Sequence, residues 1–146
     1  MKNLKVFSLV LFLSTFFFQV QCGLSITDNS DADSLKSANK IAIAAVGDSV
    51  DSEISKVAAR APYFLLFNEK GNFVKAIKNL ARYRRGGTSS VVVALLKKES
   101  VKTIIAGRFG DKMKTQLRAN KIEYFESVGV AKNIVETFVK DKRSKK

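Results

Sequence analysis

Residues 41 to 48 read Ile-Ala-Ile-Ala-Ala-Val-Gly-Asp, and this stretch decides the kind of fold that the chain can adopt. Its apolar residues form a continuous run rather than an alternation, which predicts a central strand buried on both faces. The run contains no carboxylate, so this strand offers no acidic ligand for a magnesium ion. A strand covered on both sides needs further layers above and below it, and we therefore predict an α/β domain.

The patterns that follow this strand extend the sheet and add helices. A strand is predicted over Ala61–Phe67, with Pro62 at its first positions, where a missing amide donor is tolerated. A turn around Gly71 follows over residues 68–72, and Phe73–Ile77 is predicted to return as the second strand of a hairpin. Strands and helices then alternate, which gives the order βββαβαβα and a mixed sheet of about five strands. The later predicted elements are a helix over Val91–Lys98 with Thr88, Ser89 and Ser90 as its N-cap, a strand over Lys102–Gly107, a helix over Asp111–Asn120, a strand over Ile122–Phe125, and an amphipathic helix marked by Ala131, Ile134, Val135 and Phe138.

The segments on either side of this domain have compositions of their own. Residues 1–22 combine two lysines, an apolar run and a polar exit, which predicts a signal peptide that is cleaved near Cys22-Gly23. We therefore expect a periplasmic or secreted protein. Lipidation of Cys22 is the weaker prediction, because Gln21 stands where a lipoprotein signal has a small residue. Residues 23–39 predict a flexible linker, residues 40–139 the domain, and residues 140–146 a frayed basic tail.

The chain contains one cysteine and no histidine, and this absence excludes several classes of site. Cleavage after Cys22 would leave no residue for a Ser-His or Cys-His nucleophile and no imidazole or thiolate ligand. We therefore predict no catalytic residues and no metal site, and expect a protein that is not an enzyme. Asp48, Asp51 and Glu53 could hold a hard cation, but three carboxylates on a loop are more often only solvated.

The positive charge is large and unevenly distributed. The chain has 26 Lys and Arg against 13 Asp and Glu, and loss of Lys2 and Lys5 with the signal would leave 24 basic residues. From Lys70 to Arg85 there are basic residues and no acid. The plainer interpretation is a solvated surface. The alternative is attraction to anions such as phosphate, nucleic acid or an anionic membrane.

The sequence Arg84-Arg85-Gly86-Gly87-Thr88-Ser89 is the strongest candidate binding site. Two glycines allow the backbone to turn its amides outward, and the start of the following helix adds roughly half a positive charge. The two arginines add full charges, so the segment predicts an anion site. The alternative is a capped helix with solvated arginines.

Three motifs resemble the dinitrogenase iron–molybdenum cofactor biosynthesis family, the NifX-like domains, over Lys40 to Phe138. They are Asp51-Ser52-Glu53-Ile54-Ser55, Arg60-Ala61-Pro62-Tyr63-Phe64-Leu65 and Ile104-Ile105-Ala106-Gly107-Arg108-Phe109-Gly110. The resemblance implies a ribonuclease-H-like fold and a role in binding, carrying or inserting iron-containing cofactors. By position in these motifs, Arg60 and Arg108 are expected to converge on the Arg84–Ser89 loop.

The chain departs from the family pattern where a ligand would bind. The family usually has Pro-His-Phe-Gly where this chain has Lys56, Val57, Ala58 and Ala59, and the second histidine, near Arg84 to Thr88, is also missing. We therefore predict no cofactor, although the resemblance suggests an iron–molybdenum or iron–sulfur group. The predicted function is an exported binding protein for a small anionic ligand or a protein partner. The alternatives are a protein that associates with nucleic acid or anionic membrane and, third, an iron-cofactor carrier that takes ligands from a partner; the sequence leaves the oligomeric state open.

Overall fold

The computed structural model describes residues 39–145, so the predicted signal peptide, all of the predicted linker except Asn39, and Lys146 lie outside the described residues. Five strands, three α-helices and two short 3-10 turns make up the described part. The strands and helices are β1 (Lys40–Ala45), β2 (Tyr63–Phe67), β3 (Phe73–Lys78), α1 (Thr88–Lys98), β4 (Val101–Ala106), α2 (Asp111–Ala119), β5 (Glu123–Glu126) and α3 (Ala131–Ser144). The 3-10 turns are Ala58–Arg60 and Leu80–Tyr83.

The strands form one mixed sheet in the order β3-β2-β1-β4-β5. Strand β1 lies at its centre, antiparallel to β2 and parallel to β4. All six residues of β1 are buried, as the continuous apolar run predicts. Strands β2 and β3 pair antiparallel as the hairpin, and Gly71 in its turn has a φ of 89°. The predicted mixed α/β fold, with a five-stranded mixed sheet and three helices, is confirmed.

The two faces of the sheet carry separate cores. Helices α1 and α2 cover one face, where Phe64, Leu66, Val92, Leu96, Ile104, Met113 and Leu117 pack together. Helix α3 covers the other face, where Ile43, Leu65, Phe67, Ile105, Val135 and Val139 meet. Full burial of one Leu or Ile side chain stabilises a fold by about 1.5 to 3 kcal/mol. One helix alone covers the second face of the sheet.

Helix α1 confirms the helical interpretation of the Val91–Lys98 segment but corrects its predicted N-cap. Its β-branched residues lie in a helix because Val92, Val93 and Leu96 form one buried stripe. The N-cap position belongs to Gly87, and no side chain caps the helix. Thr88 is already inside the helix, and its hydroxyl donates to the Arg84 carbonyl at 3.3 Å instead of accepting from an amide.

The end of helix α3 corrects the predicted frayed tail, because the helix continues through Ser144. The Lys142 ammonium lies 3.0 Å from a carboxylate oxygen of Glu123 and 5.1 Å from the ring centre of Phe138. Cations in the last helical turn also interact favourably with the negative end of the helix dipole. Among residues 39–145, no helix is both long and apolar enough to span a membrane.

Candidate functional site

Strand direction brings four loops to one edge of the sheet. Strands β1, β4 and β5 run parallel to one another, and β3 has the same direction because two antiparallel pairings separate it from β1. The carboxyl ends of these four strands therefore lie together. We call the surface formed by residues 46–62, 79–87, 107–110 and 127–130 the carboxyl edge. In open α/β sheets, ligands bind at this kind of edge.

Asn79 organises the carboxyl edge, although nothing in the sequence analysis singled it out. Its side chain is 2% exposed. The amide nitrogen donates to the carbonyls of Ala59 at 3.1 Å and Ala61 at 2.9 Å, while the side-chain oxygen accepts from the Ala81 amide at 3.1 Å. Asn79 therefore ties the Ala58–Arg60 turn to the Leu80–Tyr83 turn. The available signal was the preference of Asn for the N-cap of a helical turn, and Asn79 occupies that position.

Arg60 does converge on the Arg84–Ser89 loop, and it does so as a donor to the backbone. Its guanidinium donates through Nη1 to the Arg82 carbonyl and, at 2.9 Å, to the Arg84 carbonyl. Because one guanidinium donates to both carbonyls, the oxygens of Arg82 and Arg84 must point to the same side of the chain. Arg60 thus positions the entry to the loop, and its charge is engaged with these carbonyls.

The loop itself presents successive backbone amides beside two exposed arginines. Gly87 has φ 68° and ψ 10°, a left-handed conformation, and Thr88 after it is helical. A left-handed residue followed by a right-handed one turns neighbouring N–H groups toward a common point, which is the geometry of anion-binding nests. Within residues 39–145, the amides of residues 85 to 90 make no hydrogen bond. Arg84 and Arg85 are both exposed beside these amides.

Helix α3 begins at the same edge but has no comparable opening. Its first two amides, of Ala131 and Lys132, donate to the carbonyls of Ser52 at 3.0 Å and Val50 at 2.9 Å. The loop after β1 thus closes the start of α3. Within residues 39–145, the amides of Gly110, Asp111 and Lys112 at the start of α2 also make no hydrogen bond, but Asp111 places a negative charge there and Arg108 is the one adjacent arginine. The start of α1 has two adjacent arginines and no acidic residue in its first turn.

Arg108 joins two loops of the carboxyl edge through its backbone. Its carbonyl accepts from the Ala58 amide at 3.0 Å, which joins the loop after β4 to the Ala58–Arg60 turn. Its charge acts on Glu126, whose pKa is held below its ordinary value by the hydrogen bond from Lys114, by the Phe109 amide and by the positive charges of Lys114 and Arg108. Within residues 39–145, no hydrogen bond joins the Arg108 side chain to the Arg84–Ser89 loop, and its convergence on that loop stays a prediction.

Close packing against Gly107 fills the crevice between β1 and β4. The Ser55 amide donates to the Ala44 carbonyl at 2.8 Å, and the Gly107 amide donates to the Ser55 carbonyl at 3.0 Å. A Cβ atom on Gly107 would lie 2.9 Å from the Cα of Lys56. The chain's own backbone therefore occupies the position between the two parallel strands.

The most exposed large apolar side chains also lie at the carboxyl edge. Leu80 is 82% exposed, Tyr83 and Val128 are each 78% exposed, and Val46 is 52% exposed. The guanidinium of Arg82 lies 4.6 Å from the centre of the Tyr83 ring. Apolar side chains exposed beside arginines are typical of surfaces that contact another molecule.

The residues of the described chain do not fit an iron-containing cofactor. Residues 39–145 contain no histidine or cysteine, and they hold no group of three or more Asp or Glu side chains placed to bind a metal ion. The acidic residues Asp48, Asp51 and Glu53 are all exposed and form no such group. Iron cofactors take thiolate or imidazole ligands. Lys56 to Ala59 offer neither.

Comparison with known proteins places the domain in a recognised group. The family model described as dinitrogenase iron-molybdenum cofactor matches residues 39–141. The fold resembles that of the apo form of the orange protein from Desulfovibrio gigas, with a TM-score of 0.67 and 18% identity over 72% of this chain and 90% of that one. It also resembles a putative NifB protein from Thermotoga, with a TM-score of 0.61 and 24% identity over 70% of this chain and 88% of that one.

A third resemblance is weaker. A putative dinitrogenase from Methanocaldococcus jannaschii has a TM-score of 0.51 and 20% identity over 72% of this chain and 91% of that one. Identities of this size establish a shared fold alone. No functionally curated protein matches the chain significantly.

Proposed function

Because the chain belongs to the dinitrogenase iron–molybdenum cofactor family, we propose that it is an exported, non-catalytic binding protein whose Arg84–Ser89 loop holds a small anionic ligand or an acidic group of a protein partner. Family membership fits a binding role related to cofactor biosynthesis. The proposal includes a ribonuclease-H-like fold with the order βββαβαβα, a signal over residues 1–22 and a periplasmic or secreted location. The composition of residues 1–22 supports the export step.

This proposal rests on the backbone amides at the start of α1 that make no hydrogen bond within residues 39–145. Residues 85 to 90 direct no amide hydrogen bond to the rest of the described chain, while Arg84 and Arg85 supply full positive charges beside them. An anion placed there would accept amide hydrogen bonds and interact with the positive end of the helix. Gly86 and Gly87 have no atom within 4 Å of the position that a Cβ would take, which leaves room for the anion to approach the backbone.

The recognition follows from the same geometry. Charge-assisted hydrogen bonds from backbone amides favour compact oxyanions such as phosphate, sulfate or a carboxylate group. Arg84 and Arg85 add planar donors that can grip two oxygens at once. Arg60 takes no part in direct binding in this proposal, because the Arg82 and Arg84 carbonyls hold its guanidinium. Arg60 is a positioning residue, and Arg108 contributes only long-range charge.

Calorimetric titration with inorganic phosphate tests the proposed site. We expect saturable binding that the double variant Arg84→Ala, Arg85→Ala removes, while the variant Lys97→Ala, Lys98→Ala keeps it. Lys97 and Lys98 are exposed at the C-terminal end of α1, so the control loses the same amount of charge at the end of the helix far from the loop. Equal losses in the two double variants would show that only overall charge matters and would overturn the site.

The second candidate function is association with an anionic membrane, and exposed apolar residues favour it. Leu80 and Tyr83 project beside Arg82, Arg84 and Arg85, and such a set can insert apolar groups while cations meet lipid headgroups. Binding to vesicles with anionic lipid should then fall on Leu80→Ser and Tyr83→Ser at constant charge. If the affinity for vesicles is the same in both variants but falls steeply as the salt concentration rises, the attraction is diffuse and electrostatic, as in nonspecific nucleic-acid binding.

A role as a carrier of an iron-containing cofactor is the third candidate, and it would need ligands from a partner chain. The residues described here supply none of the thiolate or imidazole groups that such a cofactor takes. Elemental analysis and native mass spectrometry of the protein purified from an exporting host test this role. Stoichiometric iron or molybdenum would support it, and a retained anion that is lost in the Arg84, Arg85 double variant would support the anion site.

A further inference from the structure

A second candidate site lies at the opposite end of the sheet. A cavity of about 660 Å³ opens where β1, β4 and β5 begin, beneath the C-terminal half of α3. The turn between β2 and β3 closes one side. The cavity is lined by Asn39, Lys40, Ile41, Glu69, Lys70, Lys102, Thr103, Lys121, Glu123, Phe138, Val139, Lys142 and Arg143. None of these residues belongs to the carboxyl edge.

The lining carries a strong excess of positive charge. It has six basic side chains, at positions 40, 70, 102, 121, 142 and 143, against the two carboxylates Glu69 and Glu123. Glu123 already accepts from Lys142 at 3.0 Å and from the Thr103 hydroxyl at 3.4 Å. The other five basic side chains make no salt bridge within residues 39–145. The carbonyl end of α3 contributes roughly half a negative charge here, which Lys142 and Arg143 outweigh.

The floor of the cavity is apolar. Ile41 and Val139 belong to the core beneath α3, and Phe138 packs on that core and against the Phe125 ring at 5.1 Å between centroids. Lys40 is only 9% exposed, so its stem is packed although it begins the central strand. A ligand that fits must therefore bring both an anionic group for the rim and an apolar body for the floor.

One lysine of the rim stands in an unusual backbone conformation. Lys121 has a φ of 55°, in the left-handed region just after the end of α2, where glycine or asparagine is favoured. A lysine there costs some stability relative to glycine. At the cavity, the positive charge of Lys121 is placed to attract an anion. The substitution Lys121→Gly removes this charge and suits the left-handed backbone conformation.

We propose that this cavity binds a small amphiphilic anion, meaning a carboxylate, sulfonate or phosphate group on an aromatic or alkyl body. The lysine rim holds the charged group, and Ile41, Phe138 and Val139 contact the body. The site is independent of the proposed function, because it uses the start of the parallel strands and none of the residues of the Arg84–Ser89 loop.

The probe for the test is 8-anilinonaphthalene-1-sulfonate, a sulfonate on an aromatic body whose fluorescence rises on binding. We expect saturable one-to-one binding to the full chain. Amide chemical shifts in a nitrogen-15 correlation spectrum should change most at Thr103, Glu123 and Val139. Inorganic phosphate, which lacks an apolar body, should compete weakly.

Two charge-removing variants and one matched control complete the design. Lys102→Met and Lys121→Gly should each weaken probe binding by roughly three- to ten-fold, the effect of one nearby charge in a partly screened site. Lys121→Gly should leave the unfolding midpoint unchanged or raise it, so a loss of binding cannot be ascribed to unfolding. Lys132→Met removes the same charge from the start of α3 at the other edge, and should change binding less than two-fold.

Three outcomes would overturn the proposal. The first is an equal loss of binding in Lys132→Met. The second is a set of shift changes centred on Leu80 to Arg85. The third is competition by phosphate at the affinity of the probe, because the apolar floor would then play no part. Loss of phosphate binding at the Arg84–Ser89 loop would leave this result untouched, so the two proposals fail separately.

Discussion

Replacing Gly107 by alanine tests the backbone packing that closes the crevice between β1 and β4. An added Cβ would lie 2.9 Å from the Lys56 Cα, 3.0 Å from the Lys56 carbonyl oxygen and 3.1 Å from the Ser55 carbonyl oxygen. All three are backbone atoms, and relief requires displacement of a segment that is hydrogen-bonded on both sides. Overpacking of this kind costs about 1 to 3 kcal/mol, and weakening of the Gly107 amide bond to Ser55 adds about 1 kcal/mol.

We therefore expect Gly107→Ala to lower the free energy of unfolding by about 2 to 4 kcal/mol. Urea unfolding followed by far-ultraviolet circular dichroism measures it, and with a slope of about 1.5 kcal/mol/M the midpoint should fall by roughly 1.3 to 2.7 M. Gly86→Ala is the matched control, because Gly86 has no positive φ and nothing within 4 Å of its Cβ position. It should be neutral or stabilising by up to about 1 kcal/mol. Equal midpoints for the two variants would refute the close approach of the Ser55–Lys56 backbone.

Two further predictions concern Arg60 and Glu126. Arg60→Met should remove the donors to the Arg82 and Arg84 carbonyls, so hydrogen exchange of the Arg82 and Arg84 amides should accelerate while exchange in β1 stays unchanged; unchanged rates at both places would show that Arg60 does not order the loop. The pKa of Glu126 is lowered chiefly by Lys114, so its ionised form is favoured in the folded state and contributes stability at neutral pH that is lost as the pH falls through the folded-state pKa. Lys114→Met should raise that pKa in a carbon-detected NMR titration and reduce the acid sensitivity of unfolding, and an unmoved titration would contradict the assigned cause.

Local patterns in the sequence predicted most of the secondary structure for clear physical reasons. The continuous apolar run became the buried central strand, and the spacing of Met113 and Leu117 placed both on the inner face of α2, at 1% and 0% exposure. Hydrophobic periodicity over a few residues is a local property, because each side chain's preference for the interior is independent of the partner that covers it. Such patterns say which face is buried and leave open what buries it.

The details of the candidate site depended on contacts between segments distant in the chain. Sequence reasoning expected Thr88 and its neighbours to cap α1, but the left-handed Gly87 took the N-cap and left the amides open. It placed Arg60 near the loop and missed that Arg60 binds carbonyls. It missed Asn79, whose partners Ala59 and Ala61 lie some 20 residues earlier. No local pattern records such pairings.

The sequence by itself determined the buried strands, the amphipathic helices, the excess of positive charge and the lack of histidine and cysteine in the domain. These follow from the chemistry of single residues and their spacing. Only the tertiary structure decided that the sheet has the order β3-β2-β1-β4-β5, which brings the Arg84 loop and Arg60 to one edge and a lysine-rimmed cavity to the other. The physical reason is that strand order and direction arise from the joint packing of all the elements, and short-range preferences do not contain that information.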